Sequence, residues 1–276
     1  MQRLSSSLKE QSKKIGLVPT MGFLHEGHLS LIGIAKKNSD VVVVSIFVNP
    51  TQFGSNEDYN GYPRDLARDK KLLEKREVDI LFIPRLKDMY PNGYTTYVEV
   101  EKLSRVLCGK SRPIHFRGVT TIVAKLFNIV RPDIAVFGGK DAQQAIIIKR
   151  MVKDLNFPVK IITGPTIREQ DGLAVSSRNT YLSEAERKDA PVLHQALLLA
   201  KNLIEKGETD VNKIVSSIKK LIQKKKSAKI DYISIVRKDT LKPVSRIQGE
   251  VLIALAVRFG EARLIDNITI KGGIKA

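Results

Sequence analysis

Two of the chain's four histidines, His25 and His28, lie three residues apart in "GLVPTMGFLHEGHLSLI" (16–32). At that spacing two imidazoles share one face of a first helical turn. Aimed at a triphosphate, they donate hydrogen bonds without a permanent charge and stabilise the charge that develops on phosphoryl oxygens during transfer. The segment before them joins a short apolar strand, "KIGLVPT", to a helix. That junction is where an open α/β sheet binds ligands and where the next helix offers unpaired N–H groups to anions. Gly22 and Gly27 would let a bulky ligand come close to the backbone. Neither the G-x-G-x-x-G fingerprint nor the P-loop pattern is present. Two blander readings stand beside this one. The pair can be surface histidines next to a turn, or part of a metal site, although no third His, Cys or suitably spaced carboxylate supports zinc.

Other strand ends carry matching chemistry. In "NPTQF" the neutral amide of Gln52 suits a carboxylate or hydroxyl; otherwise it is a turn glutamine satisfied by backbone. In "FGGKDAQQ", Lys140 brings positive charge to phosphates, Asp141 helps place Mg²⁺ or caps a helix, and Gln144 follows one turn on. In "VSSRN", placed after an apolar strand, Ser176, Ser177 and the planar fork of Arg178 can donate to phosphate oxygens, or form an ordinary loop. His115 and Arg117 receive no role, and His194, inside an apolar helix, is expected to be structural. Asp69 lies on a charged helix, "RDLARDKK", a pattern that usually marks a solvated face. No Ser-His-Asp or Cys-His arrangement supplies a covalent nucleophile.

These residues need a scaffold that gathers strand ends. Strand and helix patterns alternate from "KIGLVPT" through "DVVVVSIFVNP", "DILFIP", "DIAVFGG" and "VKIITGP", with amphipathic helices between them, the last but one being "GVTTIVAKLFNIVRP" stopped by Pro132. That rhythm implies right-handed crossovers and an α/β fold with a doubly wound, Rossmann-like parallel sheet. It changes near residue 167. The helices "SEAERKDAPVLHQALLLAKNLIEKG" and "DVNKIVSSIKKLIQKKKS" precede three strands separated by short turns, which implies a smaller α+β domain. The expected division is 1–167 and 168–276.

Composition narrows the class further. The chain has 276 residues, 42% of them hydrophobic, enough for real cores. No stretch reaches the roughly 18 apolar residues of a membrane helix. "MQRLSSSLKEQSKK" lacks the apolar centre of a secretory signal, and the single cysteine, Cys108, has no disulfide or zinc partner. The expectation is a cytoplasmic protein without membrane partners. The net charge of +18 raises nucleic-acid binding, but the basic residues are dispersed, tryptophan is absent and the densest run, "IKKLIQKKKSAK", fits an exposed helix end.

"HEGH" resembles the His-x-Gly-His signature, the HIGH motif, of nucleotidylyltransferases and class I aminoacyl-tRNA synthetases. The longer strings "LVPTMGFLHEGHLSL", "IFVNPTQFGSNEDYNGYPR", "SRPIHFRGVTTIVAKLFNIVRPDIAVFGGKDAQQ" and "REQDGLAVSSRNTYLS" resemble, in order, the pantothenate synthetase family within that superfamily. The resemblance covers most of the chain. It implies an ATP-dependent ligase that joins pantoate to β-alanine through a pantoyl adenylate, releasing AMP and pyrophosphate, in a homodimer. It implies an ATP site at Met21, Gly22, Phe23, Leu24, His25, Glu26, Gly27 and His28, at Gly138, Gly139, Lys140 and Asp141, and at Ile167, Val175, Ser176, Ser177 and Arg178. His25, His28 and Lys140 would be catalytic. Gln52 and Gln144 would hold pantoate, with Gln52 also beside β-alanine, and Asp69 would lie near Mg²⁺ brought with ATP. The "VSSRN" stretch would correspond to the mobile Lys-Met-Ser-Lys-Ser element, and the second domain would close over ATP. Two positions depart from the family pattern: Gly139 stands where Glu is usual, and Ile114 where Gly is frequent. A nucleotidylyltransferase that stops after AMP transfer is the nearest rival, and a nucleic-acid-binding module a more distant one.

Overall fold

Val41–Ile46 is β-branched at every position but Ser45, and in the computed structural model it forms a strand buried from both sides. The structure describes residues 1–55 and 57–272. Within Met1–Thr166, the first of two compact units, the strands are β1 (Ile15–Thr20), β2 (Val41–Ile46), β3 (Ile80–Phe82), β4 (Ile134–Gly138) and β5 (Lys160–Gly164). All pair in parallel in the order β3-β2-β1-β4-β5. The helices of this unit are α1 (Gln2–Glu10), α2 (Glu26–Lys36), α3 (Leu66–Lys75), the short α4 (Leu86–Met89) and α5 (Cys108–Ser111), α6 (His115–Val130) and α7 (Ala142–Asp154).

Alternation along the strands sorts two cores. Val18, Val42, Val44, Ile134 and Val136 meet Leu29, Ile32 and Ala35 of α2 and Leu73 of α3. Ile15, Leu17, Val43, Ala135 and Phe137 meet Val119, Val123 and Phe127 of α6 and Ile148 and Met151 of α7. The sheet is therefore doubly wound, as the alternation predicts. Its strand order reverses between β1 and β4, so their carboxyl ends flank the crevice where such sheets bind ligands.

The second unit, Ile167–Ala276, contains α8 (Glu184–Asp189), α9 (Val192–Glu205) and α10 (Val211–Gln223). It also contains β6 (Ala228–Arg237), β7 (Gly249–Phe259) and β8 (Ala262–Gly272), an antiparallel sheet in the order β6-β7-β8. Ala196, Leu197 and Ala200 of α9 and Ile214, Ile218 and Ile222 of α10 bury one face of β7.

Several details differ from expectation. The helix predicted across 183–207 is broken into α8 and α9, because Pro191 cannot donate to the preceding turn. Only β7 and β8 are joined tightly, through Gly260 at φ +52°; residues 238–248 make the β6–β7 connection long. Among the described residues, no strand lies between β5 and Ser176. A single antiparallel bridge, Arg168 to Ala174, stands there instead. The polar N-terminus forms α1, and α6 starts at His115, three residues before Gly118.

Candidate active site

The loop after β1 takes a conformation that costs free energy. Gly22 has φ +84°, and a Cβ on it would lie 3.1 Å from Asp69 Oδ2. Phe23 also sits at positive φ, +49°, an uncommon place for a bulky residue. Asp69, only 1% exposed on α3, compensates: its two oxygens accept from the N–H groups of Phe23 (2.8 Å) and Leu24 (2.7 Å). The Arg68 guanidinium lies 5.0 Å over the Phe23 ring. Asp69 is thus neither on a solvated face nor idle, and both oxygens are already engaged by the backbone. Among the described residues, no group of three or more His, Cys, Asp and Glu side chains is arranged to hold a metal ion.

The loop delivers His25 as the N-cap of α2 rather than into its first turn, and His28 at the third helical position. The two rings stack at 4.0 Å between centroids. The His25 backbone N–H donates to His28 Nδ1 at 3.4 Å, which assigns the His28 proton to Nε2. Gly27 is required beneath this stack, since a Cβ would fall 2.8 Å from His25 Cε1. Among the described residues, His25 Nδ1 is buried without a hydrogen-bond partner. Burial, then the charge of Lys140, pulls the His25 pKa down to about 4. Burial, then His25 and Lys140, pulls His28 down to about 3. At neutral pH both imidazoles are uncharged donors, and Lys140 supplies the fixed positive charge.

Lys140 lies in a 3-10 turn, Gly139–Asp141, at the end of β4 and across the crevice from β1. Asp141 is the N-cap of α7, without a bond from its carboxylate to the first turn. A Cβ at Gly139 would come within 2.8 Å of the Gly164 carbonyl on β5, so the Glu that the resemblance puts at this position would need that edge to shift. Gln144 is half-buried in the first turn of α7. Gln52, 7% exposed in the 3-10 turn Pro50–Gln52, donates to Met21 Sδ (3.1 Å) and accepts from Asn49 (3.1 Å). That turn packs backbone to backbone on α6, where a Cβ at Gly118 would meet the Thr51 carbonyl at 2.4 Å.

Three supports here were not anticipated from the sequence. Asn49 donates to the Gly118 carbonyl and accepts from Tyr90 and Thr51. Arg112 clasps Glu57 through two bonds of 2.6 and 2.7 Å, and His115 Nδ1 lies 2.9 Å from the Gln52 carbonyl. Gln143, beside Gln144, is buried and fully bonded to residues 103–108. Ile114, the other departure from the family pattern, is the N-cap residue of α6 and 42% exposed.

In the second unit Val175 N–H bonds to Ile167 O at 3.0 Å, which brings those two residues together. Ser176 caps the following 3-10 turn, Ser177–Tyr181, by accepting from the Arg178 N–H. Arg168 makes two bonds to the buried Asp266, and Arg187 bonds Asp171 and Glu169. His194 packs on Gly172, whose φ is +89° and where a Cβ would fall 2.1 Å from Nδ1.

The model of the pantoate-β-alanine ligase family matches residues 1–269. The chain belongs to that family. A pantothenate synthetase of Acetivibrio thermocellus is 61% identical over 95% of this chain and 94% of its own length. One of Caldicellulosiruptor bescii is 57% identical over 98% and 96%. The crystal structure of pantothenate synthetase from Thermus thermophilus superposes with a TM-score of 0.91 at 46% identity, covering 96% of each chain. A pantoate-β-alanine ligase from Francisella tularensis, complexed with β-γ ATP and β-alanine, gives 0.78 at 38% identity over 97% of this chain and 93% of its own. The fold and the family expected from the quoted motifs are those found. No helix among the described residues is long and apolar enough to cross a membrane.

Proposed function

We propose that the protein condenses pantoate with β-alanine, using ATP, through a pantoyl adenylate. The observation that carries this reading is the stacked, uncharged His25–His28 pair at the end of β1, within electrostatic reach of Lys140 at the end of β4. A pantoate carboxylate oxygen attacks the α-phosphorus, and the bond to pyrophosphate breaks. The neutral β-alanine amine then attacks the acyl carbon, AMP leaves with the bridging oxygen, and the nitrogen releases a proton to solvent as the amide forms. A free carboxylate is a poor electrophile; the adenylate supplies a leaving group. The relative from Francisella tularensis, in complex with β-γ ATP and β-alanine, supports two of the three substrates.

In this reading His28 presents Nε2–H to the oxygens that gain charge as pyrophosphate departs, and His25 stacks behind it. Neutral donors suit the task, because they favour the transition state without holding pyrophosphate as a fixed ion pair would. Lys140 supplies the charge, and Asp69 holds the loop from Met21 to Gly27 in its strained shape. Gln52 and Gln144 grip pantoate, with Gln52 turned also to β-alanine. Ser176, Ser177 and Arg178 contribute phosphate donors, and Gly138, Gly139, Asp141, Ile167 and Val175 line the nucleotide site. Mg²⁺ arrives with the nucleotide's phosphates and needs no all-protein cage. The protein works as a cytoplasmic homodimer.

Carboxylate-¹⁸O pantoate tests the route. One labelled oxygen is expected in AMP. Label in inorganic phosphate, with ADP as the nucleotide product, would replace the adenylate with an acyl phosphate and remove the roles given to both histidines.

A further inference from the structure

Gln143 precedes the proposed pantoate ligand Gln144 but points the other way, into the protein, with 7% of its surface exposed. Its Nε2 donates to the carbonyls of Leu103 (2.9 Å) and Val106 (2.7 Å), and its Oε1 accepts from the Cys108 N–H (3.1 Å). Both amide hydrogens and the amide oxygen are therefore used. The turn they hold does not relax into this shape unaided. Lys102 and Leu107 both have positive φ, +63° and +49°, and a Cβ on Gly109 would fall 1.8 Å from the Ser104 carbonyl. Strain of this kind persists only where surrounding bonds over-determine it.

That turn leads through α5 to Arg112 and His115. The Arg112 guanidinium, clasped by Glu57, reaches the Gln52 carbonyl at 3.4 Å, and His115 Nδ1 lies 2.9 Å from the same oxygen. A continuous path of bonds thus runs from the first turn of α7, which carries Gln144, to the turn that presents Gln52. We propose that Gln143 is a positioning residue for the acid substrate: a strut that sets Gln52 and Gln144 relative to one another, so that both amides meet pantoate at once. The proposal rests on the ligase reading and deepens it.

Two variants test it, with initial rates and thermal melts on the full chain. Gln143→Met keeps length and volume but removes all three bonds. Gln143→Asn keeps the amide and shortens the strut. The KM for pantoate should rise about tenfold, the scale of one misaligned bond to a charged group, while the KM for ATP stays within about twofold. Gln143→Asn should show the same split, which carries the test if the methionine variant does not fold. The strut is overturned if the two KM values rise together, or if neither moves while the melting temperature falls. Wild-type conversion of pantoate and β-alanine, with AMP released, is the control. Its failure would sink the ligase reading rather than the strut.

Discussion

The loop at residues 21–28 is held by one buried carboxylate. Asp69 accepts from two consecutive backbone N–H groups and sustains positive φ at Gly22 and Phe23. The loop at 168–180 is held by charge pairs: Arg168 to Asp266, and Arg187 to both Glu169 and Asp171, with Asn179 joined to Glu169. The first device lies in a nearly water-free setting and does not depend on ionic strength. Of the second, the Arg187 pairs are partly exposed, where screening and side-chain entropy leave little net stabilisation. The difference teaches where precision is invested. The histidine loop is pre-organised, as the transition-state role proposed for it requires. The loop at 168–180 relies in part on the Arg187 pairs, which salt can loosen.

Removing a group that acts only in the transition state should do the most damage. His28→Ala is expected to lower kcat by about 10²–10³, with a small change in the KM for ATP. Near-normal turnover with a raised KM would place His28 in ground-state binding instead. The pH dependence follows from the lowered pKa values, about 4 for His25 and about 3 for His28. Neither imidazole charges between pH 5 and 8, so neither should give wild-type kcat/KM an acid limb in that range. Stability should respond differently. Below about pH 6.5 the unfolded chain takes up protons that the folded chain refuses, so these two groups erode stability as pH falls from there toward 3. A titration of both rings by NMR near pH 6.5 would break the neutral-donor account.

Next comes the clamp itself. Asp69→Asn leaves one acceptor and turns an NH₂ toward a backbone N–H that already donates. An unpaired buried donor costs about 1–3 kcal/mol, so kcat/KM for ATP should fall roughly tenfold or more. Raising Mg²⁺ should not restore it. Recovery at high Mg²⁺ would instead make Asp69 a metal ligand, the role the family resemblance implies.

Much of this comparison was open to sequence reading, and the limits have physical causes. Continuous apolar runs between helical patterns revealed the parallel sheet, because a strand covered on both faces must be apolar throughout, as Val41–Ile46 nearly is. The glycines, histidines and Lys140 stood out because their residue types are unusual at strand ends. The supporting residues were hidden. Asp69, Arg112 and Gln143 act through partners 45, 55 and 35–40 positions away, and no local pattern records such pairings. Asp69 sits in a charged stretch that resembles a solvated face, yet it is the one carboxylate there turned inward. The break at Pro191 could have been taken from the sequence, since proline inside a helical pattern interrupts it.

A smaller effect, confined to one substrate, is expected from Gln144→Ala. Gln144 is half-buried in the first turn of α7, so its truncation leaves no sealed cavity and its main cost is what the amide gives the ligand. Losing a bond to a carboxylate costs on the order of 1.5–3 kcal/mol, to be read as a raised KM for pantoate with ATP little changed. Equal loss for both substrates in initial-rate measurements would move Gln144 out of the acid pocket.

The smallest effect should come from Arg187→Ala, and it tests the comparison directly. Arg187 touches no proposed ligand, and its pairs with Glu169 and Asp171 are partly exposed, so the variant should lose no more than about 1 kcal/mol of stability. Its signature lies in local opening rather than in turnover. Hydrogen exchange across residues 169–180 should quicken in the variant at low salt. In the wild type it should quicken as salt is raised, because screening weakens the same pairs. The two effects should not add, since salt has nothing left to screen at that position once Arg187 is gone. Exchange across residues 21–28 should ignore both perturbations, because a buried carboxylate bonded to backbone N–H groups is shielded from ions. If salt loosened the 21–28 loop as readily as the 169–180 loop, the contrast between a loop held by a buried carboxylate and one held by partly exposed ion pairs would be wrong.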